Sequence, residues 1–219
     1  MKELNEFEHN GWIKFGYDQR LVRWAKLANS KIIAKQKNKE SFENSLTCEG
    51  TWFVGVDALG NNPDGTLDGI PLQGPFESLM KSYKAHSLHS AQISIIFQGY
   101  PKPRDQESES SFNFRLKRDA AHIDGLIADF PGGPRKLKEP HAYVLGIPLN
   151  QAPKGASPVV VWEGSHHLVS EAFERFFLNR NPNEWVDIDI REVYLETRKR
   201  IFKKCKRRIL HANLGESYM

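Results

Sequence analysis

The stretch RDAAHIDGLIADF, residues 118–130, sets a histidine and an aspartate on either side of one apolar residue, inside a run that reads as a β-strand. Successive side chains of a strand alternate between its faces, so His122 and Asp124 share one face and Ile123 takes the other. One imidazole and one carboxylate, held side by side on rigid backbone, supply two thirds of the 2-His-1-carboxylate arrangement. That arrangement holds non-haem Fe(II) and leaves positions open for a co-substrate and O₂. The same two residues also suit a capping or core hydrogen bond, so the choice rests on what surrounds them.

The bulk properties narrow the surroundings. A chain of 219 residues can bury one sizeable core, and 39% hydrophobic with 26% charged residues is the balance of a globular protein. The net charge of +4 is mildly basic. It suits an anionic substrate or cofactor without calling for nucleic acid. Cys48 and Cys205 form neither a CxxC pair nor a disulfide framework, and read as free thiols of a reducing compartment. The opening MKELNEFEHNGW lacks an apolar signal core, and no run reaches membrane-spanning length. The expectation is a cytoplasmic protein with no membrane partner.

Along the chain, Leu21, Val22, Trp24, Ala25, Leu27 and Ala28 are spaced as on an amphipathic helix, with Asp18 as its N-cap. GTWFVGVDAL and AQISIIFQGY read as strands, and FESLMKSYKAH as a short helix. The Gly- and Pro-rich loop GNNPDGTLDGIPLQGP suits a lid or a substrate-recognition loop. PKPRDQESESSFNFRLKRDAAH begins polar and proline-rich and reads as a mobile segment leading into the His-x-Asp strand. After PGGPRKLKEP, the runs HAYVLGIPLN and SPVVVWEGSHH read as a hairpin joined by QAPKGA. The last third carries helix periodicity in AFERFFLN and DIDIREVYLETRKRIFKKC. The basic end of the latter reads as a solvated helix terminus running into an edge strand, because no nucleic-acid motif accompanies it. No repeat or domain boundary stands out. One domain over residues 1–219 is expected, with a helical part at about 1–47 and a β-core at about 48–219.

The combination of AHIDG, the YVLGIPLN and SPVVVWEGSHH runs, and the late turn NLGES resembles the phytanoyl-CoA dioxygenase-like branch of the Fe(II)/2-oxoglutarate oxygenases. The resemblance covers residues 92–219 and is strongest over 119–167. It implies a mainly β protein with flanking helices, built as a double-stranded β-helix, the jelly-roll barrel of cupin-like folds. It also implies Fe(II) held at the barrel mouth by His122 and Asp124, with 2-oxoglutarate as co-substrate. Such an oxidoreductase couples decarboxylation of 2-oxoglutarate to hydroxylation of an unactivated C–H bond of a small molecule. The protein contributes ligand geometry, a basic group for the distal carboxylate and a dry cavity. The Gly-Ser-His turn holding His166 is structural in that family, which sets His166 and His167 aside as ligands. His141, after a proline, reads as an edge histidine.

The match departs from the family at its end. A further histidine is expected on a strand after NLGES, and the only late histidine is His211, on the strand before that turn. The sequence therefore reads as truncated, with an exposed C-terminal strand edge through which copies of the chain would pair. A non-catalytic jelly-roll binding module is the alternative.

Overall fold

The computed structural model of the chain describes residues 2–37, 42–83, 87–130 and 132–219. Its elements are α1 (Lys2–Asn10), β1 (Lys14–Phe15), α2 (Gln19–Gln36), β2 (Leu46–Thr47), β3 (Trp52–Gly55), α3 (Glu77–Ser82), β4 (Ile93–Ile96) and α4 (Glu109–Leu116). There follow β5 (Leu126–Ala128), β6 (Arg135–Leu137), β7 (Val159–Glu163), α5 (Ser165–Phe177), a 3-10 turn (Pro182–Asp187), α6 (Arg191–Lys204), β8 (Lys206–Leu210) and β9 (Ser217–Tyr218). The strands form four small sheets, β1–β9, β2–β3–β4, β5–β6 and β7–β8, and among the described residues they do not join into one closed barrel. No described helix is long and apolar enough to cross a membrane.

Contacts divide the chain into two compact units. One comprises residues 14–120, 145–159 and 210–219. Its core grows from α2, which begins where Asp18 accepts a hydrogen bond from the Arg20 amide at 2.8 Å. Asp18 thereby satisfies one of the orphan donors of the first turn. Leu21, Ala25, Ala28 and Ile32, spaced by four, three and four, form a buried stripe. Trp24, Ala28 and Ile32 pack against Phe53 of β3, Ile93 of β4, Leu59 and Leu67. Leu67 belongs to the loop expected as a lid, yet it is fully buried, and Trp24 Nε1 donates to the Gly65 carbonyl at 2.8 Å. The loop is therefore a packed part of this core.

The polar segment expected to be mobile contains α4. Ser108 caps it by accepting from the Ser111 amide at 3.3 Å. Arg115 on its last turn reaches Glu107 with two hydrogen bonds, 2.9 and 2.7 Å, and the Lys102 carbonyl at 2.8 Å. The hydrophobic pattern of this helix is weak, so its determinants are a cap and an ion pair rather than a stripe.

In the same unit, β9 pairs antiparallel with β1, and Tyr218 exchanges two backbone hydrogen bonds with Gly146 at 2.8 and 3.1 Å. Tyr218 thus has a neighbour on each side, and the strand edge expected to be open is paired there. Residues 141–150, expected as one arm of a hairpin, contribute only that Gly146 bridge. Pro148 has no amide hydrogen to give a ladder, which interrupts the run. The other arm does form β7, but its partner is β8.

The second unit comprises residues 1–13, 121–144 and 160–209. Leu126, Phe177, Ile190 and Tyr194 are its buried centre, with Ile123, Leu137, Phe173, Phe176, Trp185, Ile188 and Val193 around them. The Phe177 and Trp185 rings stack at 4.5 Å. The helix expected over 187–205 is α6, and its basic end runs into β8 as the charge pattern implied. Of the sequence stretches read above, the end of FESLMKSYKAH (84–86) and Pro131 lie outside the described residues.

Candidate metal site

His122 and Asp124 lie just before β5, in the second unit, on chain assigned to no strand. The alternation inferred from sequence nevertheless holds. Ile123 packs against the core around Leu126, while the His122 and Asp124 side chains are 63% and 50% exposed. His122 Nε2 stands 3.0 Å from Asp124 Oδ1. That hydrogen bond, aided by the charges of His122 and His141 and opposed by burial, holds the Asp124 carboxyl below its ordinary pKa. Asp124 is therefore ionised at neutral pH, the state a metal ligand needs.

Two arginines fix the backbone on which the pair rides. Arg198 of α6 donates to the Ala121 carbonyl at 2.7 Å, with its guanidinium 5.2 Å from the Tyr194 ring centre and 5.4 Å from that of Phe202. Arg135 of β6 donates to the Leu126 carbonyl at 3.0 Å, on the other side of the pair. The pair is thus exposed at its tips and held at both ends, as a preorganised ligand pair should be.

Gly125, at φ +78°, completes the local geometry. Its carbonyl accepts from both the Lys138 and Glu139 amides, at 3.1 and 3.2 Å, which carries the β5–β6 hairpin past its last ladder pair, Leu126 with Leu137. A methyl group here would run into the Glu139 carbonyl oxygen and stand 3.1 Å from His141 Nδ1. Glycine is needed both for the left-handed backbone and for the close approach. His141 is thereby laid against the residue that follows Asp124.

Family models, curated proteins and solved structures give no match to the chain.

The remaining histidines have other settings. His166 and His167 open α5, where Gly164 takes φ +78°. Their Nε2 atoms lie 2.8 Å from the Glu8 carbonyl and 3.3 Å from the His9 carbonyl, at the end of α1. The two ring centres lie 3.9 Å apart with their planes tilted by 38°, and burial, with His167 and His9 nearby, pushes the His166 pKa down. They tie a helix end, a structural task consistent with setting them aside as ligands. His211 follows β8 directly and belongs to the other unit; its buried Nε2 has no hydrogen-bond partner among the described residues. Among the described residues, no group of three or more His, Cys, Asp or Glu side chains is placed so that it could hold a metal ion.

Sequence reasoning missed Arg198, Arg135 and the place of His141. Nothing local marks the two arginines, which come from β6 and α6. The proximity of His141 follows from a β5–β6 pairing whose short strands, three residues each, carry almost no periodic signal.

Proposed function

We propose that the chain is an Fe(II)/2-oxoglutarate-dependent dioxygenase of the hydroxylase type, acting on a small molecule, with His122 and Asp124 as metal ligands. One observation carries the reading: the two donors meet at 3.0 Å on exposed side chains while Ile123 between them anchors in the core. An imidazole and a carboxylate are the nitrogen and oxygen donors that non-haem Fe(II) takes, so the residues fit the metal. If bound there, the iron would use O₂ as the oxidant for hydroxylating a C–H bond, with 2-oxoglutarate as the co-reductant that leaves as succinate and CO₂. The protein's own contributions are an ionised Asp124, the adjacent His122 imidazole, and a backbone pinned by Arg198 and Arg135. The double-stranded β-helix fold is part of the same proposal, supported by the antiparallel pairing of β1 with β9, β3 with β2 and β4, and β5 with β6.

The test is an anaerobic titration with Fe(II) and 2-oxoglutarate. The weak visible charge-transfer band of the chelate is expected on the whole chain and should vanish in His122→Ala. His122 is exposed and outside the core, so this variant should keep the far-UV circular dichroism of the parent. A band of equal strength in His122→Ala removes the assignment. No band on the parent chain favours the non-catalytic binding module instead.

A further inference from the structure

We infer that α1 is an acid-released strap, docked on the start of α5 at neutral pH through His166 and His167 and freed when these imidazoles take up protons. The device lies wholly within the unit of residues 1–13, 121–144 and 160–209, and it does not depend on the metal reading. No residue of α1 is buried, so apolar packing does little to hold the helix. Polar contacts tie its end instead. The Gly164 amide donates to the Asn10 carbonyl at 2.8 Å, and Nε2 of His166 and of His167 meet the Glu8 and His9 carbonyls at 2.8 and 3.3 Å.

A carbonyl only accepts, so each Nε2 carries the proton and the neutral ring keeps Nδ1 as a bare acceptor. In His166 that Nδ1 is buried with no hydrogen-bond partner among the described residues. Gly11, at φ +76°, turns the chain across it, so closely that a methyl group there would run into Nδ1. A second proton would therefore make a buried donor without an acceptor. It would also place charge 3.9 Å from the His167 ring centre, on the first turn of α5, where the helix dipole is positive. The neighbouring charges give no relief, since burial, His167 of α5 and His9 of α1 all oppose a positive His166. Glu8 is exposed and meets the ring through its carbonyl. Glu171 of α5 is paired with Arg175 and Arg200. Glu163, ending β7, is taken by Arg208 and by Trp12 Nε1, and Arg208 holds its carboxyl below the ordinary range, so that contact stays ionised while the imidazoles titrate. Docked His166 thus binds a proton less readily than a free histidine, and the undocked state protonates first, at about 6.5. Docking is complete above that value. Below it the docking constant falls by up to about tenfold per pH unit, until the docked ring titrates as well.

Heteronuclear NMR of the whole chain, followed from about pH 7.5 to about pH 5, tests the inference. The signals of residues 3–11 are expected to leave their docked positions on acidification, while those of Leu126, Phe177, Ile190 and Tyr194, the centre of the same unit, stay in place. The His166 Cε1–H signal should titrate with the same midpoint as that release. His166→Gln/His167→Gln keeps two side-chain amide donors that cannot be protonated, and should hold α1 docked at the acid end. Release of α1 from this variant at the parent's midpoint would overturn the inference. So would α1 signals in the parent that do not change across the range, or that change at a midpoint apart from that of His166; both comparisons are made in the parent and stand even where the glutamines dock poorly.

Discussion

Replacing Glu107 with alanine should lower the stability of the protein by about 3 kcal/mol, among the largest single-residue effects expected outside its apolar cores. The Glu107 and Arg115 side chains are only 12% and 10% exposed, and their closest approach is 2.7 Å. The hydrogen bonds from Arg115 are the main reason the Glu107 carboxyl falls from 4.5 to about 2, with burial opposing and the Arg104 amide assisting. Alanine leaves the buried Arg115 without a carboxylate for its charge, facing only neutral groups such as the Lys102 carbonyl, Tyr100 and the Phe112 ring. The pH dependence has a definite sign. Because the folded-state pKa is depressed, the unfolded chain takes up the proton first. The stabilisation is therefore complete above the unfolded value near 4.5 and is lost as pH falls toward 2. Its full size is about 3 kcal/mol, the linkage free energy of a carboxyl lowered from 4.5 to about 2. Urea unfolding followed by tryptophan fluorescence measures both effects. Glu107→Ala should unfold at much lower urea at pH 7, and Glu107→Gln should flatten the acid limb. Removing both charges, as in Glu107→Leu with Arg115→Leu, should recover much of the loss. A Glu107→Ala variant within about 1 kcal/mol of the parent would show that the pair is solvated in solution.

Gly125→Ala should be comparably damaging, with a different signature. Alanine at φ +78° costs about 1–3 kcal/mol in backbone strain alone. Its methyl group also meets the backbone oxygen of Glu139, which no side-chain rotation can relieve. The expected total is about 3 kcal/mol or more, with displacement of the 138–141 arm from Asp124. Thermal unfolding gives the stability change. Amide shifts in two-dimensional NMR should move from residue 121 to residue 141 and stay still around Trp24 and Phe53, which belong to the other unit. Unchanged stability would mean that the close approach at Gly125 is absent in solution.

How far these features can be read from sequence depends on how local their causes are. Asp18 and the stripe Leu21, Ala25, Ala28 and Ile32 make α2 legible, since cap and periodicity lie within one segment. The opposite facing of Ile123 and its two polar neighbours was legible for the same reason. Helix α4 was not, because its main determinant, the ion pair of Glu107 with Arg115, has no hydrophobic period to announce it. The partner of β7 was misjudged because the nearest apolar run is the obvious candidate, and Pro148 disqualifies that run only as a ladder partner. The site divides along the same line. His122 and Asp124 are neighbours in sequence and were found there. Arg135, His141 and Arg198 reach them through a short hairpin and a distant helix, and short strands give register little sequence signal.

The central claim is that His122 and Asp124 bind a metal. Anaerobic equilibrium dialysis against Fe(II), comparing the parent chain with His122→Ala/Asp124→Ala, tests it most directly. The account predicts a saturable single-site isotherm for the parent and only a shallow, non-saturating rise for the double variant, with both chains folded by circular dichroism. An identical saturable isotherm in the two proteins would contradict it.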